Sequence, residues 1–237
     1  MKSNTHFHFK QFSVRHDRCS MKVGTDAVLL GAWADVNGIK NVLEVGAGSG
    51  IISLMIAQRT SPVVKIDAVE IERGAAEQAV ENILQSPWPS RIVVHPVAIQ
   101  DFFPPELYDM IICNPPFFNN SLKPPDKGRL QVRHTTSLSF EDLLSAAFRL
   151  LKSSGKLSVI LPEQEGILFS DIALGSQLFN TRKHSFRTRS EKPIERWLLE
   201  FSKHKSDLEN GEILLYKEGL EWSERYKNLT KDFYLKI

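Results

Sequence analysis

The stretch Asn41–Arg59, NVLEVGAGSGIISLMIAQR, decides the fold. Its first five residues, NVLEV, form an apolar run too short for a helix and bounded by glycine, so they read as a buried strand. Gly46, Gly48 and Gly50 follow at alternate positions. Glycines between a strand and a helix permit positive φ and let a ligand come close to the backbone. IISLMIAQR then carries its apolar positions on one side, as a helix does. A dinucleotide-binding loop would read GxGxxG, with the pyrophosphate on the helix N-terminus. Here the spacing is GxGxG, an imperfect fit to a dinucleotide.

Working outward, strand and helix alternate. Residues 64–70, VKIDAVE, read as a second strand, and Glu72 to Gln85 as a helix closed by Ser86-Pro87. Arg91 to His95 and Tyr108 to Cys113 are the third and fourth strands. Phe140 to Lys152 is an amphipathic helix ended by Ser153-Ser154-Gly155, followed by a fifth strand over Lys156 to Leu161 and a helix within Glu163 to Leu178. Thr181 to Thr188 and Ile194 to Ser202 then follow each other as strands across a turn near Pro193. The alternation predicts an α/β fold, a mostly parallel seven-stranded sheet with helices on both faces and an antiparallel C-terminal edge hairpin. Ligands of such sheets lie outside the carboxyl ends of the strands. The single domain expected over 1–237 divides into an N-terminal segment (1–40) that closes over the site, a core (41–203) and a tail (204–237).

A second oddity faces the same crevice. Asp109–Asn120, DMIICNPPFFNN, starts as an unbroken apolar strand and breaks into Asn114-Pro115-Pro116-Phe117. Neither proline can donate to a ladder, so the strand must end there. An NPP-aromatic turn suits a planar amine whose lone pair is delocalised. The Asn114 side-chain oxygen and the Pro115 carbonyl can accept its two N–H groups and favour pyramidal geometry. Phe117 offers a face on which a base can stack. Catalysis of this kind is positioning and electrostatics, with no strong base required.

Composition sets the frame. With 237 residues, 42% hydrophobic, the chain suffices for one large domain or a domain plus a small appendage. Its apolar runs fall short of a membrane span, and MKSNTHFHFKQF has no hydrophobic signal core, so a cytoplasmic protein is expected. Cys19 and Cys113 form no metal-ligand spacing; no metal is expected, and Cys113 reads as a buried, inert thiol. The net charge of +2 does not announce a nucleic-acid partner. Its distribution is uneven, though: residues 182–196, RKHSFRTRSEKPIER, hold six Lys or Arg against two Glu. Further basic residues gather at Lys10 to Lys22 and Lys123 to Arg133. Charge alone leaves each run as a solvated loop or strand edge.

The pattern hhEhGxGxG, with Glu44, Gly46, Ala47, Gly48 and Gly50, is similar to the first motif of the Rossmann-like class I methyltransferases. In them the loop wraps the amino-acid end of S-adenosyl-L-methionine. Glu70, at the end of the second strand and twenty residues beyond Gly50, can accept from both ribose hydroxyls, with Ile71 against the adenine. Many such enzymes hold the adenine amino group with an acid after the third strand. In HPVAIQDF, Ala98 stands at that position, which leaves backbone groups of Ala98 and Ile99, or Gln100, for the contact.

The resemblance extends further. FKQF, HDRCSMKVGTD, LLGAWA, EVGAGSG, CNPPFF, VRHTTSLSFEDLL, KPIERWLLEFS and LTKDFYLKI together resemble the bacterial tRNA1(Val) (adenine(37)-N6)-methyltransferase family, over nearly the whole chain. That family methylates the adenosine just after the anticodon of a valine tRNA. The resemblance implies S-adenosyl-L-methionine as cofactor, tRNA through its anticodon stem-loop as partner, and Lys22, Thr25 and Asp26 closing over the cofactor. From the residues alone, Thr25-Asp26 reads as a helix cap for AVLLGAWA. A stem-loop needs phosphate contacts, which points to Lys123, Lys127, Arg129, Arg133, His134, Arg182, Lys183, Arg187, Arg189 and Lys192 as RNA-facing. Three alternatives stay open. Guanine-N2 methyltransferases of rRNA share both motifs but commonly carry a duplicated domain. Glutamine-N5 methyltransferases of release factors normally bring a helical N-terminal domain. A non-catalytic RNA-binding module would explain Ala98.

Overall fold

Two apolar faces on every central strand force helices onto both sides of the sheet. The computed structural model describes residues 5–116 and 138–236. In chain order these form β1 (His6–His8), β2 (Ser13–Arg15), α1 (Thr25–Trp33), β3 (Asn41–Val45), α2 (Ile51–Arg59), β4 (Lys65–Val69), α3 (Arg73–Leu84), β5 (Ile92–His95) and β6 (Tyr108–Cys113). After them come α4 (Phe140–Leu150), β7 (Leu151–Leu161), α5 (Glu163–Gly175), β8 (Phe179–Arg187), β9 (Arg196–Ser202), β10 (Glu209–Leu214) and α6 (Glu224–Thr230).

The main sheet has the order β10-β8-β9-β7-β6-β3-β4-β5, and only β9 runs antiparallel to its neighbours. The seven strands read from the sequence are all present. An eighth, β10, comes from the tail and pairs parallel with β8, Glu209 opposite Arg182 through Leu214 opposite Arg187, so the hairpin does not form the sheet's edge. The strand period of two divides the core. Val42, Met110 and Ile112 pack with α1, α2 and α3 on one face, Leu43, Ile111 and Cys113 with α4 and α5 on the other.

Ser153-Ser154-Gly155 is not a helix stop. The helix ends at Leu150 and β7 runs straight through the triplet, where its register against β6 shifts between Tyr108 and Met110. A Cβ on Gly155 would lie 2.7 Å from the Tyr108 carbonyl oxygen, so this shift admits only glycine. Both chain ends pack together: Lys10 N–H donates to the Phe233 carbonyl at 2.8 Å, and Lys10 Nζ to that of Lys231 at 2.6 Å.

Candidate active site

The glycine loop leaves β3 with all three glycines left-handed, φ 73° at Gly46, 53° at Gly48 and 76° at Gly50. A Cβ on Gly46 or Gly48 would meet nothing within 4 Å. These positions front open space, so glycine serves the turn and the approach of a ligand, not packing. Main-chain donors fix the loop: Gly46 N and Ala47 N both donate to the Val69 carbonyl, at 2.9 and 3.1 Å. Glu70 joins it to the next strand, accepting from Gly48 N at 2.8 Å through one carboxylate oxygen and from Glu72 N at 2.9 Å through the other. Ile71 beside it is half exposed, an uncovered apolar surface at the crevice.

Glu44 lies beneath this loop. It is 1% exposed and accepts from Ser53 N at 2.9 Å and from Ser53 Oγ. Burial pushes its carboxyl up to about 8 against the opposing Ser53 bonds, so its part in the site is to hold the start of α2. Beyond the end of β5, the Ala98 carbonyl accepts from Asp101 N (3.0 Å) and the Ile99 carbonyl from Arg149 Nη2 (3.1 Å). The Ile99 side chain is in the core. With the carbonyls engaged, a ring arriving here is left the N–H groups.

Asn114 follows β6 directly. Its Oδ1 is buried and has no hydrogen-bond partner among the described residues. A buried amide oxygen without a partner costs about 1–3 kcal/mol, which a bound N–H donor would recover. Pro115 is buried, Pro116 exposed, and Phe117 lies outside the described residues, as do Lys123, Lys127, Arg129, Arg133 and His134.

Asn114 shares a cavity of about 380 Å³ with Lys22, Thr25, Asp26, Thr188 and Arg196. The N-terminal residues reach it because α3 clamps the segment before them. Gln78 Oε1 accepts from Arg18 N (3.0 Å) and Cys19 Sγ (3.1 Å), and its Nε2 donates to Asp17 (2.8 Å). Asn82 accepts from Arg15 N (2.9 Å) and donates to the carbonyls of Arg15 and Ser49, tying the strap to the glycine loop. Thr25-Asp26 does not cap the helix from outside. Gly24 is the N-cap, without a side-chain cap bond, and Thr25 and Asp26 are the first helical residues. Asp26 instead accepts from Arg196 Nε at 2.8 Å.

The basic residues of β8 and the following loop do not form one free face. Arg182 stacks 3.8 Å over the Trp33 ring and pairs with the buried Glu200 at 3.3 Å. Arg187 pairs with Glu212 at 3.1 Å. Lys183 lies 3.9 Å over Trp197, and Arg189 5.2 Å over Tyr216, donating to the Gly219 carbonyl. Lys192 is exposed. Sequence reasoning passed over Gln78, Asn82 and Arg196. Gln78 and Asn82 carried a usable signal, two polar residues four apart on the same stripe as Ala75, Ala79 and Ile83. Arg196 carried none, since its partner is 170 residues away.

A family model described as "Methyltransferase small domain" matches residues 20–169. A tRNA1(Val) (adenine(37)-N6)-methyltransferase of Trichodesmium erythraeum is 44% identical over 97% of this chain and 98% of its own length. The protein of the same name from Dyadobacter fermentans is 43% identical over the full length of both. Among solved structures, a predicted O-methyltransferase from Agrobacterium tumefaciens matches with TM-score 0.69 at 20% identity, over 88% of this chain and 96% of that one. A glycopeptide N-methyltransferase with S-adenosyl-L-methionine bound matches with TM-score 0.57 at 11% identity, over 76% and 99%. These two likenesses bear on the fold.

Proposed function

The chain belongs to the tRNA1(Val) (adenine(37)-N6)-methyltransferase family, and from that premise we propose that it methylates the exocyclic N6 amine of adenosine 37 in a valine tRNA. The cofactor is S-adenosyl-L-methionine, which supplies an electrophilic methyl group on a sulfonium. The single observation that carries the site assignment is the buried Oδ1 of Asn114, without a partner among the described residues, at the carboxyl end of β6 and next to the end of β3 from which the open glycine loop leaves.

Gly46, Ala47, Gly48 and Gly50 form the cradle for the amino-acid end of the cofactor. Glu70 keeps a lone pair on each oxygen beyond those given to Gly48 and Glu72, which suits it to two ribose hydroxyls. Ile71 covers the adenine, and the N–H groups of Ala98 and Ile99 face its edge. Asn114 Oδ1 and the Pro115 carbonyl accept from the substrate amine, localise its lone pair and aim it at the methyl. Once methylated, the cationic amine is acidic and releases its proton to water. Pro116 stiffens the turn, and Phe117 is assigned to stacking on the extruded base. Lys22, Thr25 and Asp26 close over the cofactor from the N-terminal side of the cavity.

The substrate docks through its anticodon stem-loop, with Lys123, Lys127, Arg129, Arg133, His134 and Lys192 assigned to its phosphates. Arg182, Lys183, Arg187 and Arg189 retain the same assignment in weaker form, because each is already engaged within the fold. A cytoplasmic location suits a tRNA substrate. No helix among the described residues is long and apolar enough to cross a membrane.

The test is methyl transfer from labelled S-adenosyl-L-methionine to unmodified bulk tRNA, followed by nucleoside analysis, with Asn114→Ala alongside. Label in N6-methyladenosine is expected, reduced about 10²-fold or more in the variant. Label in N2-methylguanosine, or in protein, would overturn the substrate assignment.

A further inference from the structure

The tail builds a second concave surface with no role in the chemistry described so far. A groove of about 570 Å³ is lined by Phe7 of β1 and by Tyr216, Trp222, Tyr226 and Tyr234 of the tail. Two of its lining residues, Thr25 and Leu215, also line the cavity that holds Asn114. The groove therefore adjoins the catalytic cavity at these two residues.

We propose that this aromatic groove seats unpaired nucleotides of the RNA substrate adjacent to the target adenosine. The inference rests on the RNA-methylating reading of the Asn114 cavity. Its rings have the character of stacking platforms. Tyr216, Trp222 and Tyr234 are half-buried, so each shows part of a ring to solvent while the rest is anchored. Trp222 meets Tyr226 edge-on at 5.2 Å and Tyr234 at 5.6 Å, and Tyr234 stacks on Phe9 at 6.3 Å. Tyr216 and Trp222 are further joined by an antiparallel bridge. Rings held this way lose little freedom when a base settles on them, and every base has a π-face.

Charge favours the same occupant. Arg189 lies over the Tyr216 ring, Lys236 lines the groove, and Glu221 on the adjoining turn is already paired with Lys227 at 3.1 Å. A target adenosine in a loop has unpaired neighbours, and a groove that adjoins the catalytic cavity at Thr25 and Leu215 is placed to take them.

The experiment uses the full chain, a labelled RNA hairpin with an unpaired loop, and a blunt duplex of the same stem. Trp222→Leu and Tyr216→Leu remove a ring and keep apolar volume, and Trp222→Phe keeps a ring. Tyr216→Leu keeps the test alive where Trp222→Leu fails to fold. The wild type is expected to prefer the hairpin. Each Leu variant should weaken hairpin binding about tenfold, with duplex and S-adenosyl-L-methionine affinities unchanged and Trp222→Phe close to wild type. Hairpin binding equal to wild type in both Leu variants would overturn the proposal. So would a concentration-dependent dimer abolished by Trp222→Leu at unchanged hairpin affinity, which would give the groove to a second copy. Methyl transfer is read separately: a wild type that prefers the hairpin through these rings, yet forms no N6-methyladenosine, would overturn the catalytic reading and support the groove.

Discussion

On the proposed donor side of the crevice, Glu70 and the loop of residues 46–50 are tied by main-chain N–H groups to one another and to β4. On the proposed acceptor side, Asp26 and Arg196 meet through side chains, and Asn114 Oδ1 has no partner among the described residues. The difference matches the two tasks. A cofactor of fixed shape is served by a preorganised cradle. A base that must be extruded from RNA is served by a cavity in which the amide oxygen of Asn114 has no partner among the described residues. The cost of that unsatisfied group is recovered only with substrate present, so it favours the bound state.

If the two sides are separable, Asn114→Ala, the largest expected effect, should lower turnover about 10²-fold or more and leave donor affinity as it was. Equilibrium binding of S-adenosyl-L-methionine checks this, and a parallel loss of donor affinity would mean that Asn114 belongs to both sides. Next comes Glu70→Gln. Its amide NH2 would face either Gly48 N or Glu72 N, two donors that now share a carboxylate. Hydrogen bonds to a charged group are worth ~1.5–3 kcal/mol, so donor affinity should fall about tenfold to a hundredfold, with turnover at saturating donor retained. Isothermal titration against steady-state rates would show whether the loss is confined to binding.

The donor side was the more legible in sequence for the same reason that it is rigid. Its information is local: alternate glycines after NVLEV, and an acid at the end of the next strand. The strands that carry it follow from apolar runs that tolerate only burial. The acceptor side depends on contacts between distant segments. Gln78 and Asn82 stand out on the apolar stripe of their helix, but nothing local names Arg15 to Cys19 as what they hold. Arg196 reads as one more cation in a basic run until Asp26 is beside it. The tail was opaque for a related reason. Its strand, Glu209–Leu214, has a single buried residue, Ile213, so no alternation announces it, and only pairing with β8 makes it a strand. The misread Ser153-Ser154-Gly155 looked like a helix stop because a bulge glycine and a stop glycine are the same residue in different surroundings.

A smaller effect tests the base of the donor side through pH. Burial raises the Glu44 carboxyl to about 8 from an ordinary 4.5. The folded state therefore holds a proton that the unfolded chain gives up. This contribution to stability is fully present below about 4.5 and is lost as pH rises through about 8. Thermal melts of wild type should decline across that window, and Glu44→Gln should flatten the decline by at most one proton's worth, about 1.4 kcal/mol per pH unit. Melts with the same slope in both proteins would mean that Glu44 ionises in the fold and that the loop rests on a charge.

The smallest effect is expected on the acceptor side. The Asp26–Arg196 pair is 2.8 Å long, but its side chains are 20% and 29% exposed, and partly exposed pairs contribute ~1 kcal/mol or less. Arg196 is also held by a second bond, from its Nη1 to the Glu195 carbonyl at 2.7 Å, so Asp26→Asn keeps the geometry and removes only the charge. Denaturant unfolding should show a loss under ~1 kcal/mol, with turnover and donor affinity each slightly reduced. A loss well above ~2 kcal/mol would exceed what a solvated pair supplies. The pair would then be a preorganised brace comparable to Glu70, and the acceptor side would have to be described as built on the same plan as the donor side, with Asn114 alone left open.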